Sequence, residues 1–415
     1  MSEQVLFQLQ SAKLAWRALM AKSTVEKNKA LQLMADLLLK NQDKILAANA
    51  QDVVIAKVEG LSGPMLARLE LNEKKIISMV DGIKNIEGLE DPIGRMVSMV
   101  TRPNGLQVGK ITVPIGVIAV IFESRPNVTS DVVALAVKSG NSIVLRGGKE
   151  SIRTNQVIVD LLRQALKNAE LPMEAIQFIN SPDRKVVGFL LNATEFIDVV
   201  IPRGGESLIR AVVEQSHIPV IFQYKGVCHT FVDASADIDM AVQIALNAKV
   251  SNPSVCNAME CLLVHRDIAN FFLPKVASKL FQEKVEIRGD QETVHLIPGS
   301  KLAEALDYGR EFLDLILAVK IVGSLDEALE HIQKYGSMHS EAIVTNDYEN
   351  SQKFLKTVDA ACVYVNASTR FTDGGEFGLG AEVGISTQKL HARGPMGLAE
   401  LTSTKYIILG SGQIR

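Results

Sequence analysis

The first ninety residues alternate apolar and polar positions with a helical period. Apolar side chains recur at i, i+3, i+4 and i+7 over Ala12–Met20, Val25–Ala48 and Ser62–Ile86, a pattern that is typical of amphipathic helices. The next segment, Val97–Val113, has two mildly apolar arms around the turn sequence Arg102-Pro-Asn-Gly105. The chain is therefore predicted to open with a helical layer, followed by a β-hairpin.

From Val117 onwards, short apolar runs alternate with amphipathic stretches. The predicted strands are Val117–Phe122, Ser142–Leu145, Ala175–Ile179, Phe196–Ile201 and Pro219–Phe222. The predicted helices are Ser130–Lys138, Ser151–Asn168, Asp183–Leu191 and one that opens after Arg203-Gly-Gly205 and runs to Glu214. Alternation of this kind indicates a parallel sheet that is covered by helices on both faces.

Polar and glycine-rich segments follow three of these strands. Two of them are Arg146-Gly-Gly-Lys149 and Arg203-Gly-Gly205, and the third is Glu123–Asn127. Ligands of parallel sheets bind at the carboxyl ends of the strands, where bare glycine backbone lets a phosphate approach a helix N-terminus. Neither Gly-Gly turn matches a dinucleotide or nucleotide fingerprint, so ordinary turns stay an alternative, and Asn127 either faces a ligand or caps a helix.

A second α/β stretch runs from residue 230 to residue 365. It contains a long helix, Ile238–Val250, and strands near Leu262, Val285, Leu315, Ala342 and Cys362. The segment Ser368–Gly397 is rich in glycine, and Thr404–Leu409 is predicted to close the chain as a strand.

Composition narrows the classes of protein that fit. The chain has 415 residues, of which 47% are hydrophobic and 22% charged, and its net charge is -3. This length suits two or more domains, and the composition supports a large core rather than disorder. The charge balance argues against nucleic acid or a membrane surface as a partner. With no signal-peptide core, and with Val113–Phe122 too short to span a bilayer, we expect a soluble cytoplasmic protein.

The four cysteines do not suggest a disulfide framework or a metal site. No CxxC pair occurs, and the neighbours Cys228 and His229 would face opposite sides of a strand, so we expect no metal. Cys261 and Cys362 sit in apolar strands and are expected to pack, as is Cys228. Cys256 differs because it lies in a Ser/Asn/Pro loop between a helix and a strand. Local sequence leaves open whether Cys256 reacts or packs.

Taken together, several motifs resemble the aldehyde dehydrogenase superfamily. They are Ile115–Thr129, Val144–Glu150, Ile201–Gly205, Pro253–Asn257 and Asn366–Gly374. The resemblance covers essentially the whole chain. It implies an α/β, aldehyde-dehydrogenase-like fold with a Rossmann-type cofactor domain, an α/β catalytic domain and a small β oligomerisation element. The implied division is an NADP-binding domain (1–96 and 114–225), a catalytic domain (226–397), and the oligomerisation hairpin and C-terminal strand (97–113 and 398–415).

The resemblance also implies roles for individual residues. Cys256 matches the nucleophile, and Asn127 matches the side chain that holds the developing oxyanion. The residues implied to bind cofactor are Arg146, Lys149, Gly204, Gly205 and Glu311. A lysine at position 149, where NAD-preferring members often have an acid, favours NADPH because it would welcome the 2′-phosphate.

The motifs look like the branch of the superfamily that reduces L-glutamate 5-phosphate to glutamate 5-semialdehyde in proline biosynthesis. Candidates for binding this substrate are Arg125, Ser368, Thr369 and Arg370, although either arginine could equally form a structural ion pair. Aldehyde-oxidising members carry a glutamate that activates water, and the corresponding stretch here, Gln223–Cys228, has no acid. A reductase requires this absence, because its thioester must pass to hydride rather than to water.

Two other functions stay open at this stage. One is a CoA-acylating aldehyde dehydrogenase, which also lacks the hydrolytic base, and the other is a non-catalytic binding protein on the same fold. The resemblance further implies a homodimer or tetramer, and an association with glutamate 5-kinase would protect the labile acyl phosphate.

Overall fold

The computed structural model describes residues 2–61, 63–183 and 185–415, which form two compact units. Unit 1 comprises the described residues of 1–222 together with 378–384 and 395–415, and unit 2 comprises 223–377 and 385–394. The first break therefore lies three residues before the predicted one. Residues 378–384 and 395–397, which the sequence analysis placed in the catalytic domain, belong to unit 1.

The helical layer of unit 1 is divided more finely than the sequence analysis predicted. Its helices are α1 (Ser2–Leu19), α2 (Thr24–Lys40), α3 (Gln42–Val58), α4 (Gly63–Leu69) and α5 (Glu73–Gly88). The predicted helix Val25–Ala48 is wrong because Asn41 ends α2, donating its side-chain amide to the Leu37 carbonyl (2.8 Å). The predicted helix Ser62–Ile86 is likewise divided, with Asn72 capping the N-terminus of α5. Ser62 itself lies outside the described residues.

The predicted hairpin is confirmed as β1 (Met96–Thr101) and β2 (Gln107–Pro114). A parallel sheet follows, made of β3 (Val117–Phe122), β4 (Ser142–Arg146), β5 (Ile176–Phe178) and β6 (Val199–Arg203) in the order β5-β4-β3-β6. All six residues of β3 are buried, as expected of a strand covered on both faces. The surrounding helices are α6 (Asn127–Lys138), α7 (Ile152–Asn168), α8 (Lys185–Leu191) and α9 (Glu206–Gln215).

One predicted strand of this sheet is wrong. Segment 219–222 makes only an isolated parallel bridge between Val220 and Val200. Pro219 has no N–H, and the contact stops after two hydrogen bonds, one from the Val200 N–H to the Pro219 carbonyl (2.9 Å) and one from the Ile221 N–H to the Val200 carbonyl (3.0 Å). The predicted strand Phe196–Ile201 is shifted, since β6 begins only at Val199.

Unit 2 is built on one seven-stranded, wholly parallel sheet. Its strands are β7 (Cys228–Val232), β8 (Met259–His265), β9 (Glu286–Gly289), β10 (Lys301–Leu302), β11 (Ile316–Val322), β12 (Ser340–Val344) and β13 (Cys362–Val365), in the order β10-β9-β11-β8-β7-β12-β13. The helices are α10 (Ile238–Val250), α11 (Arg266–Gln282), α12 (Gln291–Leu296), α13 (Leu325–Tyr335) and α14 (Tyr348–Thr357). The predicted bounds of α10 are confirmed.

The end of the chain completes the small β element of unit 1. After β14 (Ile385–Ser386) and β15 (Gly394–Pro395), β16 (Thr402–Leu409) pairs antiparallel with β2 and forms the sheet β1-β2-β16. The predicted C-terminal strand is thus confirmed, with two further residues at its start. Within the described residues, no helix combines the length and apolar character needed to cross a membrane.

Asn141 joins three parts of unit 1 from a fully buried position. Its Oδ1 accepts the Gly116 N–H (2.8 Å), and its Nδ2 donates to the Leu401 carbonyl (2.8 Å) and to the Ser139 hydroxyl (2.8 Å). The side chain therefore satisfies backbone groups that precede β3 and β16.

Replacing Asn141 by alanine should lower the free energy of unfolding by about 2–4 kcal/mol, because it leaves buried N–H and C=O groups unpaired. Urea denaturation of the purified protein measures this loss. Asn180→Ala is the matched control, since the Asn180 amide is exposed and donates to the Gln156 side chain (2.9 Å). A loss below about 0.5 kcal/mol for Asn141→Ala would contradict this assignment.

Candidate active site

The predicted nucleophile lies at the amino edge of the unit 2 sheet. Cys256 occupies the loop between α10 and β8, three residues before β8 begins. Gly226 precedes β7 by two residues, and Glu311 precedes β11 by five. Because β7, β8 and β11 are parallel, these segments all reach the same edge of the sheet. The strand order therefore gathers residues that are far apart in sequence.

Exposure separates Cys256 from the other three cysteines. Cys256 is half-buried, whereas Cys228, Cys261 and Cys362 are buried, and all four are free thiols. The last two lie in β8 and β13, as the sequence analysis predicted. Of the four thiols, Cys256 is therefore the one that an external substrate can reach.

The backbone of Cys256 rests directly against Gly226. A Cβ atom added at position 226 would lie 1.9 Å from the Cys256 carbonyl oxygen and 2.7 Å from its Cα. No side chain fits at this distance, so the close approach requires glycine. Local sequence gives no signal for Gly226, because its role depends on a contact across 30 residues of chain.

Cys228 holds the same carbonyl from the adjacent strand. Its thiol donates to the Cys256 carbonyl oxygen (3.2 Å) and lies 3.7 Å from His339 Nδ1. Burial raises the pKa of the Cys228 thiol well above its usual range, and the charge of Glu341 adds to the effect. Cys228 therefore stays protonated and acts as a hydrogen-bond donor, in line with the structural role expected for it.

The segment predicted to bind substrate is attached to the Cys256 loop. Arg370 contacts Asn257 Oδ1 through one terminal nitrogen and donates from Nε to the Ser251 hydroxyl (2.9 Å). Thr369 donates its hydroxyl to the Asn257 carbonyl (2.8 Å), while Ser368 accepts the Arg370 N–H (3.3 Å). The contacts of Arg370 are to neutral groups at both ends of the loop, so it braces the loop.

Glu311 binds backbone next to the thiol. Its Oε1 accepts the Gly226 N–H (2.8 Å), and the neighbouring Lys225 donates from Nζ to the Gly309 carbonyl (2.8 Å). The half-buried Glu311 carboxylate is therefore bonded to Gly226, the residue that lies against the Cys256 backbone. The sequence analysis associated Glu311 with the cofactor, and the structure adds this contact with Gly226.

A cluster of buried imidazole and thiol groups lies deeper in the same unit. The ligand-type atoms of His229, Cys261 and His331 lie within 4.8 Å of one another, a grouping that sequence spacing did not reveal. His229 Nδ1 lies 2.9 Å from Glu341 Oε2. Burial lowers the pKa of His229, but Glu341 outweighs it and the net pKa is about 10. Within the cluster, Cys261 Sγ lies 3.7 Å from His331 Nε2, so hydrogen bonds join its members.

In unit 1, the predicted ligand crevice lies where the strand order reverses. The chain adds β4 and β5 on one side of β3 and then returns to place β6 on the other side. Such a switch point between carboxyl ends is where open α/β sheets bind dinucleotides. Glu123 follows β3, and its Oε2 accepts the N–H of Gly205 (2.9 Å), which is the N-cap residue of α9. The Glu123 carboxylate thus occupies the turn that contains Gly204 and Gly205.

The other glycine turn, after β4, is shaped by neighbouring side chains. A Cβ at Gly147 would lie 2.3 Å from the Asn155 side chain, and one at Gly148 would lie 2.0 Å from the Glu150 carboxylate. Glu150 Oε1 also accepts the N–H and hydroxyl of Ser124 (2.8 and 2.6 Å). A side chain at either position would displace Asn155 or Glu150 from its hydrogen bonds, so packing favours glycine here, whether or not the turn also binds a ligand.

The two cations beside this turn differ in exposure. Arg146 ends β4 and is half-buried, whereas Lys149 is exposed and its Nζ forms an ion pair with Glu59 Oε2 (2.6 Å). Exposed ion pairs of this kind contribute at most about 1 kcal/mol, so Lys149 can exchange Glu59 for another anion.

Asn127 is the first residue of α6, and its side chain is bonded to Asp131 one turn later. Burial raises the pKa of Asp131 to about 6, although the contacts with Ser130 and Asn127 and the charge of Arg203 act in the opposite direction. The sequence analysis missed Asp131, which the spacing of four residues from Asn127 on a helix could have revealed. Arg125, half-buried, begins the same turn, with its carbonyl accepting the Val128 N–H (3.1 Å).

Comparison with known proteins agrees with this architecture. A family model for the aldehyde dehydrogenase family matches residues 2–308. Gamma-glutamyl phosphate reductase of Halothermothrix orenii is 53% identical over 414 residues, which is 100% of this chain and 99% of that protein.

Solved structures extend the match. Gamma-glutamyl phosphate reductase of Thermotoga maritima has a TM-score of 0.96 and 46% identity, and the match covers 99% of each chain. An acetylating aldehyde dehydrogenase of Geobacillus thermoglucosidasius has a TM-score of 0.72 at 20% identity, covering 100% of this chain and 98% of that one, a likeness of fold alone. The predicted fold class is thus confirmed. The chain belongs to the aldehyde dehydrogenase family and, within it, to the gamma-glutamyl phosphate reductases.

Proposed function

We propose that this enzyme uses Cys256 to form a thioester with L-glutamate 5-phosphate and then reduces it to glutamate 5-semialdehyde with NADPH. Two of the relatives named above, those of Halothermothrix orenii and Thermotoga maritima, are called gamma-glutamyl phosphate reductase, a name that describes this reduction. The observation that supports the assignment of the thiol is that Cys256 is half-buried on a braced loop, whereas the other three cysteines are buried.

The first step exchanges the acyl C–O bond of the acyl phosphate for an acyl C–S bond. The Cys256 thiolate attacks the acyl carbon, and the tetrahedral intermediate collapses as inorganic phosphate leaves with the bonding electron pair. We assign stabilisation of the oxyanion to the Cys256 N–H and, on the family resemblance, to Asn127. Because Cys228 and Gly226 fix the Cys256 carbonyl, the peptide plane after the nucleophile is held during attack.

The second step requires that water stay away from the thioester. When bound, the nicotinamide cofactor supplies the hydride that converts the thioester to a thiohemiacetal, which then releases semialdehyde and returns the proton to sulfur. The stretch Gln223–Cys228 carries no carboxylate to activate water. Its one cation, Lys225, is bonded to the Gly309 carbonyl, and the carboxylate that contacts the stretch, Glu311, accepts the Gly226 N–H and is assigned to the cofactor rather than to water.

Membership of the family supports a nicotinamide cofactor, and we propose NADPH. The crevice at the switch point fits a dinucleotide, because Gly204 and Gly205 are exposed there at the start of α9. Glu123 would have to release the Gly205 N–H for a phosphate to bind it. Lys149 and Arg146 would face the adenosine ribose and its 2′-phosphate, and Glu311 the nicotinamide ribose.

Substrate recognition requires cationic or hydrogen-bonding groups for a phosphate and an α-carboxylate. We propose Arg125 and the segment Ser368–Arg370 for this role. Arg370 is anchored to Asn257 and Ser251, so its guanidinium would meet the substrate in a fixed orientation.

The main rival is a CoA-acylating aldehyde dehydrogenase. The 20% identity to an acetylating enzyme supports a shared fold only. A binding protein without turnover is disfavoured because the thiol, its loop bracing and Asn127 are all present. Phosphate dependence without any CoA requirement distinguishes the proposed reaction from both.

We propose that the enzyme is cytoplasmic and receives its labile substrate from glutamate 5-kinase.

We also propose a homodimer or tetramer that forms through the sheet β1-β2-β16. Val97, Val100 and Ile408 of this sheet are 58%, 53% and 57% exposed. Apolar strands with this exposure are typical of contact surfaces between protein chains.

Replacing Cys256 by alanine should lower the reverse reaction by at least about a thousandfold, because the thioester cannot form. The assay follows reduction of NADP in the presence of semialdehyde and phosphate. Cys362→Ala, which removes a buried thiol, should stay within about threefold of the wild type. Wild-type turnover by Cys256→Ala would exclude the thioester mechanism.

Replacing Lys149 by alanine should raise the KM for NADP about tenfold, since a charge-assisted bond to the 2′-phosphate is lost. The KM for NAD should stay unchanged. The matched control is Lys57→Ala, which removes an exposed lysine of α3 that pairs with Glu70 (3.4 Å). Equal changes in the two KM values would refute a role for Lys149 in selecting NADP.

Introducing lysine at Val100 and Ile408 together should reduce the mass in light scattering to that of one chain, because charge is unfavourable in an apolar contact. Val58→Lys provides the control, as Val58 of α3 is 84% exposed in a different region of unit 1. An unchanged mass for the double variant would show that another surface holds the subunits together.

A further inference from the structure

A fully buried ion pair lies at the base of the Cys256 loop. Lys249, in the last turn of α10, places its Nζ 2.6 Å from Oε2 of Glu260, the second residue of β8. Both side chains are 0% exposed. The loop 251–258 connects these two elements, so the ion pair fastens together the helix and the strand that carry it.

The same pair also contacts the segment that follows Glu311. The second carboxylate oxygen of Glu260, Oε1, accepts the Leu313 N–H (3.0 Å). Lys249 Nζ lies 6.0 Å from the centre of the Phe312 ring, within the range of a cation–π contact. Residues 312 and 313 are thus fixed by the two charges at the base of the loop.

These contacts connect the Cys256 loop with the Glu311 segment by two separate paths. The adjacent Glu311 accepts the Gly226 N–H, and Gly226 lies against the Cys256 backbone. One path therefore joins Cys256 to Glu311 through Gly226, and a second joins them through Lys249 and Glu260. Neither segment can shift alone without breaking one of these contacts.

Stability alone is a poor explanation for this ion pair. Taking both charges out of water is costly, and apolar side chains of similar volume often serve stability equally well or better. Burial raises the pKa of Glu260 to about 7 despite the opposing effect of Lys249, and burial lowers the pKa of Lys249. Other charged or titratable groups near the pair include Glu311, Asp314 and Cys228, and the guanidinium groups of Arg288 and Arg310 face the same Phe312 ring as Lys249.

We propose that Lys249 and Glu260 are positioning residues that hold the Cys256 loop and the Glu311 segment in one fixed arrangement. The inference rests on the proposed function, in which Cys256 is the nucleophile and Glu311 binds the cofactor. The pair acts through other groups: it orients the thiol and the ribose-binding carboxylate before substrate arrives.

The test compares Glu260→Gln, Lys249→Met and the uncharged double variant K249M/E260Q with the wild type. Measurements are kcat and KM in the reverse reaction, the rate of Cys256 alkylation by iodoacetamide, and Tm. Lys27→Met is the matched control, because it breaks a buried ion pair of unit 1, Lys27–Asp91, at 2.5 Å.

Each single variant at the loop should lower kcat at least about tenfold and change the alkylation rate at least about fivefold, because a misplaced thiol loses its attack geometry. The double variant should regain Tm, since no uncompensated charge stays buried, while its kcat stays low. Lys27→Met should lower Tm but leave kcat and alkylation within about twofold.

Recovery of both Tm and kcat in the double variant would overturn the proposal, because the pair would then serve stability alone. If a single variant fails to fold, the double variant still decides the question. Alkylation needs neither substrate nor cofactor. If the wild type lacked the reverse reaction, the proposed function would fail, while the alkylation rates would still report on the position of the loop.

Discussion

The contact between Gly226 and Cys256 is the constraint on which the site of unit 2 depends. A Cβ at position 226 would lie 1.9 Å from the Cys256 carbonyl oxygen, so the backbone before β7 and the thiol loop touch without an intervening side chain. The Gly226 N–H donates to Glu311 (2.8 Å), and Cys228, the first residue of β7, donates its thiol to the Cys256 carbonyl (3.2 Å). The position of the thiol thus follows from strand order rather than from the loop sequence alone.

The two parallel sheets place their functional residues at opposite strand ends. In unit 1, the glycine turns and the segment Glu123–Asn127 follow the carboxyl ends, as expected for a dinucleotide crevice. In unit 2, Cys256, Gly226 and Glu311 precede the strands. The stretch Gln223–Cys228 also has no acid, whereas aldehyde-oxidising relatives carry a glutamate there to activate water. That feature distinguishes a reductase of acyl phosphates from a hydrolytic dehydrogenase.

Sequence reasoning succeeded where local signals decide the structure. β3 and α10 were predicted with their observed bounds, because one is a continuous apolar run and the other is an apolar-periodic stretch that ends at a Ser/Asn/Pro loop. It failed where a single contact redirects the chain, as when Asn41 divides two helices whose apolar period continues. The Lys249–Glu260 pair and the contacts of Arg370 could not be predicted from sequence, because they join segments that come together only in the folded sheet.

We propose that Cys256 forms a thioester that is passed to phosphate or hydride but not to water. A direct measurement mixes the enzyme with semialdehyde and NADP without phosphate and follows NADPH together with the intact mass of the protein. We expect one burst of NADPH equal in amount to the active sites, a glutamyl adduct on the Cys256 peptide, and steady turnover only after phosphate is added. Continuous NADPH formation without phosphate, or a burst with no adduct on Cys256, would contradict it.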